Sequence, residues 1–258
     1  MTPTDHENHT AAGAHPWREP MRWITVPWTI AILFPFTAVT TFFWGSMSVI
    51  LSLFSQRIGF YGGVFWAKCL IWVSFVRVQI EGREHAPIGT SFVILANHQG
   101  NYDILALYGF LGRQFRWVMK EELRKVPFLG WGCAAIGHIF VDRSNSRQAF
   151  ASLEAAKPRL VGGVSVLFFP EGTRSEDGRL GRFKKGGFVM ARQLDFPVLP
   201  VSISGASAIL PRGCLFPRPG SIRITIHPPV DPKAFADDAE FIDGVRATIA
   251  GGLAPNER

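Results

Sequence analysis

An α/β fold, with a largely parallel sheet flanked by helices and an N-terminal apolar helical hairpin, is what this chain predicts, on three observations. Seven short strand-like runs alternate with helix-forming stretches over residues 76–258, the pattern of strand–helix units in a parallel sheet. Two of these runs, 92–96 and 164–168, end directly in polar, glycine-containing motifs. Between Arg22 and Arg57 there is no charged residue.

Taken in order, residues 1–22 are polar, contain proline and are rich in His and Thr, so a disordered tail is expected. Residues 23–75 form a membrane-associated helical segment. Pro27 and Pro35 interrupt its early part, whereas 36–54 is proline-free and apolar, close to the ~20 residues that cross a bilayer core. A second apolar helix is expected over 61–75, broken only by Lys68. A single transmembrane anchor, a hairpin dipping into one leaflet, and a buried hairpin of a soluble protein all fit this pattern. A cleavable signal does not, because the apolar stretch begins late and lacks a small-x-small site. Arg18 and Arg22 precede the segment while Arg57 and Lys68 follow it, so charge bias does not set topology.

Residues 76–258 make the second domain. Strands are predicted at 76–80, 92–96, 116–119, 138–141, 164–168, 198–203 and 222–227. Helices are predicted near 103–111, within 121–135, and at 146–156, 187–194 and 238–250. Phe150 and Leu153 share a face of the third of these, which Pro158 should end. Phe241, Val245 and Ile249 recur every four residues in the last, marking one buried face. In such sheets ligands gather outside the carboxyl ends of strands.

Both polar motifs sit at such ends. In His98-Gln99-Gly100-Asn101-Tyr102-Asp103 an imidazole and a carboxylate are five residues apart. On one regular helix they would point about 140° apart. If the chain turns through Gly100, with Asn101 as N-cap, Asp103 falls in the first helical turn and can reach back to His98. The carboxylate then holds one ring nitrogen and leaves the other free to take a proton. No serine or cysteine nucleophile accompanies the pair, so the simplest chemistry is a base acting on a substrate hydroxyl. The bland alternative for His98 is a residue that merely ends a strand. In Phe169-Pro170-Glu171-Gly172-Thr173-Arg174-Ser175, Pro170 stops the ladder, Gly172 permits a tight turn and Arg174 offers a planar fork for phosphate or carboxylate. Glu171 could pair with a basic neighbour or bond a substrate hydroxyl. A surface ion pair for Arg174 is the alternative here.

Composition narrows the function class. The chain of 258 residues is 47% hydrophobic and carries 27 Lys+Arg against 20 Asp+Glu, a formal +7. Such a balance attracts polyanions. Nucleic acid is excluded by the lack of zinc-finger spacing, RNA-binding signature or basic heptads, and the apolar N-terminal region points to a membrane surface. Cys69, Cys133 and Cys214 are odd in number and widely spaced, which suggests reduced thiols and a cytosol-facing domain. No metal is expected: His6, His9 and His15 lie in the polar tail, and His85, His138 and His227 are isolated. The basic loop 181–187 lacks the spacing of a P-loop or a dinucleotide fingerprint. It could touch an acceptor headgroup, the donor or anionic lipid, or be a solvated linker.

These blocks resemble those of the glycerolipid acyltransferases, in particular the PlsC-like 1-acylglycerol-3-phosphate acyltransferases. HxxxxD (His98–Asp103, after Asn97) and FPEGTRS (169–175) are joined by two further blocks in the expected order. Lys120-Glu121-Glu122-Leu123, with Pro127, Gly130, Gly137 and the run 139–143, resembles the second motif; 198–202 with Gly205 resembles the fourth. The resemblance covers about 76–229.

It implies the glycerolipid acyltransferase fold and an enzyme that acylates the sn-2 hydroxyl of 1-acyl-sn-glycerol 3-phosphate, forming phosphatidic acid. By this resemblance His98 deprotonates the acceptor hydroxyl and Asp103 orients His98. Lys120 and Arg174, with Arg143 as a third cation, bind the acceptor phosphate, and Glu171, Gly172 and Thr173 shape the glycerol-binding turn. Asn97 or nearby backbone N–H groups are candidates for the oxyanion hole. The donor is an acyl-CoA or acyl carrier protein thioester, and no cofactor is needed. Members often use a membrane-embedded helix pair, which favours the dipping hairpin, at the cytoplasmic (inner) membrane with the catalytic domain on its cytoplasmic face. The alternatives are another lyso-lipid acceptor, such as lyso-ornithine lipid, and a non-catalytic membrane lipid-binding protein.

Overall fold

A computed structural model describes residues 22–142 and 146–258. The tail expected over 1–22 therefore lies outside the described residues except for Arg22, as do the histidines at 6, 9 and 15.

The N-terminal segment forms α1 (Arg22–Trp28), a π-helical turn (Thr29–Leu33) and α2 (Phe34–Ser52). The two prolines do not interrupt the helix as expected. Pro27 lies inside α1, and Pro35 is the second residue of α2, just past the π-helical turn. The turn between them widens, and the Phe34 N–H donates back to the Thr29 carbonyl. The helical stretch Trp23–Ser52 is long and apolar enough to cross a membrane. After a short turn, α3 (Gln56–Val73) starts earlier than the apolar pattern suggested, because Ser55 caps it by accepting from the Arg57 N–H. The hairpin closes on small residues: a Cβ at Gly59 would collide with Ser52 Oγ, and one at Gly62 with Ser48 Oγ. Trp23, Val39, Leu53, Phe54 and Trp72 remain at least 65% exposed, so the outer face of the hairpin is not covered by the protein.

All seven predicted strands form, as β1 (Val76–Glu81), β2 (Val93–Ala96), β3 (Phe115–Lys120), β4 (Ile139–Val141), β5 (Ser165–Phe168), β6 (Val198–Ser204) and β7 (Gly220–Ile226). They make one sheet in the order β1-β7-β6-β2-β5-β3-β4. Every adjacent pair is parallel except β6 and β7, so β1 and β7 run against the other five strands. The register aligns Leu95 with Phe168 and Trp117 with Leu167, which brings the carboxyl ends of β2, β5 and β3 side by side.

The remaining helices are α4 (Asn101–Phe110), α5 (Leu129–Ile136), α6 (Ser146–Ala156), α7 (Gly186–Leu194), the short α8 (Ala206–Ile209) and α9 (Asp238–Gly251). They cover both sheet faces. Along β2, Ile94 and Ala96 face a core shared with α3 and α4, including Phe60, Leu70 and Leu107. Val93 and Leu95 face a second core with Phe188 of α7 and Phe241, Val245 and Ile249 of α9. That alternation is what a strand buried on both sides requires. α3 thus shares a core with the sheet. Pro158 closes the stretch after α6 in a 3-10 turn, as expected; the Phe150 and Leu153 side chains lie outside the described residues.

Candidate active site

β2 ends at Ala96, and the chain turns through Gly100 into α4. Gly100, not Asn101, occupies the N-cap, with extended backbone at φ −167°. Asp103 stands at the third helical position, as the spacing required. Its Oδ2 accepts from three donors: His98 Nδ1 at 2.8 Å, the Gln99 N–H at 2.6 Å and the Gly100 N–H at 2.8 Å. The carboxylate is completely buried, which pushes its pKa up against the downward pull of these donors. The His98 ring is also stacked on Phe169, centroids 3.9 Å apart and planes 6° off parallel. Phe169 comes from the second motif, so one motif supports the base of the other. With Nδ1 held by the carboxylate, the second ring nitrogen is the one left for proton transfer.

Glu171 is where residue type alone misleads. Its carboxylate is 6% exposed, and both oxygens are taken by main-chain donors. Oε1 accepts from the His98 N–H at 2.7 Å and Oε2 from the Gly181 N–H at 2.9 Å. Burial raises its pKa while those two donors lower it. The side chain therefore clamps the His98 backbone rather than pointing to a ligand. The Ser175 N–H donates to the His98 carbonyl at 2.8 Å, so both main-chain polar groups of His98 are held by the 169–175 segment. Gly172 has φ +73°, so the turn demands glycine, and the Lys184 side chain lies beside it. Thr173 is exposed beside it.

The cations divide. Arg174 follows the turn after β5, and its Nη1 donates to Asn101 Oδ1 at 3.0 Å, tying it to the start of α4. Arg212 in turn donates to the Arg174 carbonyl at 3.2 Å and to Glu176 Oε1 at 2.8 Å. Lys120 ends β3 at the same edge and is exposed. Arg143 lies outside the described residues. Lys184, from the basic loop, packs over Gly172 and is a cation of this edge that spacing did not single out.

Other candidates have different work. Asn97 is 1% exposed, and its amide is spent on β6, Nδ2 donating to the Ile203 carbonyl at 2.8 Å and Oδ1 accepting from the Ile203 N–H at 2.7 Å. It ties the end of β2 to β6. Burial pushes the Cys133 thiol up to about 12, far from a nucleophilic thiolate. His138 is buried, with the Trp117 N–H donating to its Nδ1 and its Nε2 facing the Tyr108 hydroxyl at 2.8 Å; burial holds it neutral.

At this edge a carboxylate-held imidazole adjoins arginine and lysine at neighbouring strand ends, and comparison with known proteins agrees. A sequence model of the Acyltransferase family matches residues 77–204, which contain His98, Asp103, Lys120 and the 169–175 segment. The chain is 32% identical over 78% of its length to a 1-acyl-sn-glycerol-3-phosphate acyltransferase of Pseudomonas aeruginosa, covering 81% of that protein. It belongs to the PlsC-like acyltransferase family. A 1-acyl-sn-glycerol-3-phosphate acyltransferase of Chlamydomonas reinhardtii is 35% identical over 74% of this chain, which spans 57% of that relative's length. The crystal structure of the 1-acyl-sn-glycerophosphate acyltransferase PlsC from Thermotoga maritima superposes with a TM-score of 0.78 at 30% identity, over 90% of this chain and 95% of that one. The overall fold of this PlsC-like family member is thus shared with a solved relative.

Proposed function

We propose that the protein transfers a fatty acyl group from a thioester donor, acyl-CoA or acyl carrier protein, to the sn-2 hydroxyl of 1-acyl-sn-glycerol 3-phosphate, giving phosphatidic acid. The observation that carries this reading is the 2.8 Å contact between His98 Nδ1 and Asp103 Oδ2. It leaves a single basic nitrogen at a strand edge that also carries Arg174 and Lys120. The free nitrogen of His98 takes the acceptor's hydroxyl proton as the oxygen attacks the thioester carbonyl. The tetrahedral intermediate collapses with cleavage of the C–S bond, and the proton passes from His98 to the leaving thiolate. Asp103 stabilises the imidazolium between these steps. Arg174 and Lys120, with Arg143, bind the acceptor phosphate. Transfer is direct within a ternary complex, and the scheme needs no metal or cofactor.

The apolar helix Trp23–Ser52 and the exposed apolar face of the hairpin support a membrane-bound enzyme. The hairpin dips into the cytoplasmic leaflet of the inner membrane, with the catalytic domain on its cytoplasmic face, a side that three free cysteines fit.

The test is acyl transfer by detergent-purified protein offered 1-acylglycerol 3-phosphate and acyl-CoA, with His98→Ala alongside. Loss of rate by about 10²–10⁴-fold in a variant of unchanged circular dichroism is expected. Near-normal turnover in His98→Ala would remove the proposed base. An acyl adduct trapped on a side chain would overturn direct transfer.

A further inference from the structure

At the sheet edge opposite His98 lies a cleft of about 610 Å³. It is walled by α3 and by the turns that precede β2, β3 and β5. Arg57, Lys68, Arg83 and Arg113 line it, and no carboxylate does; Glu84 stands in the turn beside Arg83 but outside the lining. None of the four cations is in an ion pair among the described residues. The arginines are instead fixed by main-chain carbonyls: Arg57 to Gly162 at 3.0 Å, Arg83 to Phe110 at 2.9 Å and Arg113 to Thr90 at 2.6 Å. Burial lowers Arg113 only to about 10, so it stays charged at neutral pH. Lys68 is exposed, with its ammonium 5.8 Å from the centre of the Phe110 ring. The floor between these charges is apolar and includes Phe60 and Leu111.

Four unneutralised cations around an apolar floor repel one another, and one anion carried on an apolar body relieves both features. The position of α3 says where such an anion comes from. Tyr61, Phe65, Lys68 and Trp72 recur at helical spacing on its exposed side, a mixture of aromatic and basic residues suited to a lipid headgroup layer. This stripe runs from the cleft along the hairpin that carries the long apolar helix. We infer that the cleft is a second lipid site, holding the headgroup phosphate of an anionic bilayer phospholipid apart from the reacting lysolipid. From Thr90 to His98 the chain crosses the sheet, roughly 25 Å of extended backbone, so one headgroup cannot occupy both edges. The inference rests on the hairpin lying in a membrane, as proposed above.

Lys68→Gln removes one cation whose side chain supports no backbone, and Lys233→Gln, in an exposed pair with Asp195, makes the same charge change elsewhere. Binding of the full chain to phosphatidylcholine vesicles with and without phosphatidylglycerol is measured for each. Wild type should prefer the anionic vesicles. Lys68→Gln should lose about fivefold of that preference, the factor one lysine near an anionic surface carries, while Lys233→Gln keeps it and Lys68→Arg restores it. Equal losses in the two Gln variants, or no preference in wild type, would overturn the site. So would inorganic phosphate that binds wild type but not Lys68→Gln in the absence of vesicles and leaves the preference for anionic vesicles intact, since the cleft would then take the free anion and the lipid would sit elsewhere. A chain that binds neither vesicle would overturn the membrane reading as well. Acyl transfer in detergent should be unchanged in Lys68→Gln.

Discussion

Glu171→Gln separates a residue that touches substrate from one that holds the base. The wild-type carboxylate accepts from the His98 N–H at 2.7 Å and from the Gly181 N–H at 2.9 Å. An amide of the same shape has only one oxygen. In either orientation its NH₂ must face a backbone N–H, in a site 6% exposed. One charge-assisted hydrogen bond is lost, worth about 1.5–3 kcal/mol, and the other weakens because the acceptor is no longer charged. At about 2 kcal/mol, a chain of this size should melt roughly 4–8 °C lower. The catalytic effect follows from the same contact. If the amide turns its NH₂ toward His98, the base moves, and about 1 Å of misplacement costs roughly 10²-fold in rate. Steady-state kinetics with varied lysophosphatidate, paired with thermal unfolding, should show kcat falling with Tm and KM for the acceptor nearly constant. An unchanged Tm and kcat with a raised acceptor KM would refute the clamp and return Glu171 to the substrate.

Arg174→Lys keeps the charge but loses the fork, and should raise acceptor KM about tenfold with a smaller change in kcat, read in the same assay; a rise in donor KM instead would move Arg174 to the thioester side. His138 gives a pH signature. Burial depresses its folded pKa well below 6.5, so the unfolded chain binds the extra proton first, and stability falls as pH drops below about 6.5. His138→Gln, which can still accept from Trp117 and donate to Tyr108, should flatten that slope by up to about 1.4 kcal/mol per pH unit; parallel unfolding curves for the two proteins would sink this assignment.

Seven strands were legible because each stretch is short and bounded, and either buried on both faces, as the alternation of Val93 and Ile94 between the two cores illustrates, or buried on one face with polar residues alternating, as in β1 and β7. His98 and Asp103 were legible because a local turn brings them together. What escaped depends on distant chain. The clamp from Glu171 reaches His98 across 73 positions, and Asn97 finds Ile203 across 106; neither carries a local signal. The reversed direction of β1 and β7 is likewise invisible in an apolar run. At Pro27 and Pro35 the propensity for a break was real, but a π-helical turn absorbs it inside one continuous apolar helix.

The 169–175 segment therefore has two duties that its neighbours in sequence divide. Phe169 stacks on the imidazole, Glu171 takes the His98 N–H, and Ser175 donates to the His98 carbonyl. Between these contacts Arg174 donates to Asn101 at the start of α4. An acceptor phosphate bound by Arg174 would thus be gripped by the same short turn that fixes the base. The distance from phosphate to attacking hydroxyl would then be matched to a loop with few ways to flex, since residues on both sides of its turn are bonded to the same His98–Asn101 stretch. Such preorganisation lowers the entropic cost of aligning hydroxyl and base. It also means that adjacent substitutions should have unlike signatures: one in Glu171 displaces the base and destabilises the fold, whereas one in Arg174 weakens the hold on the acceptor.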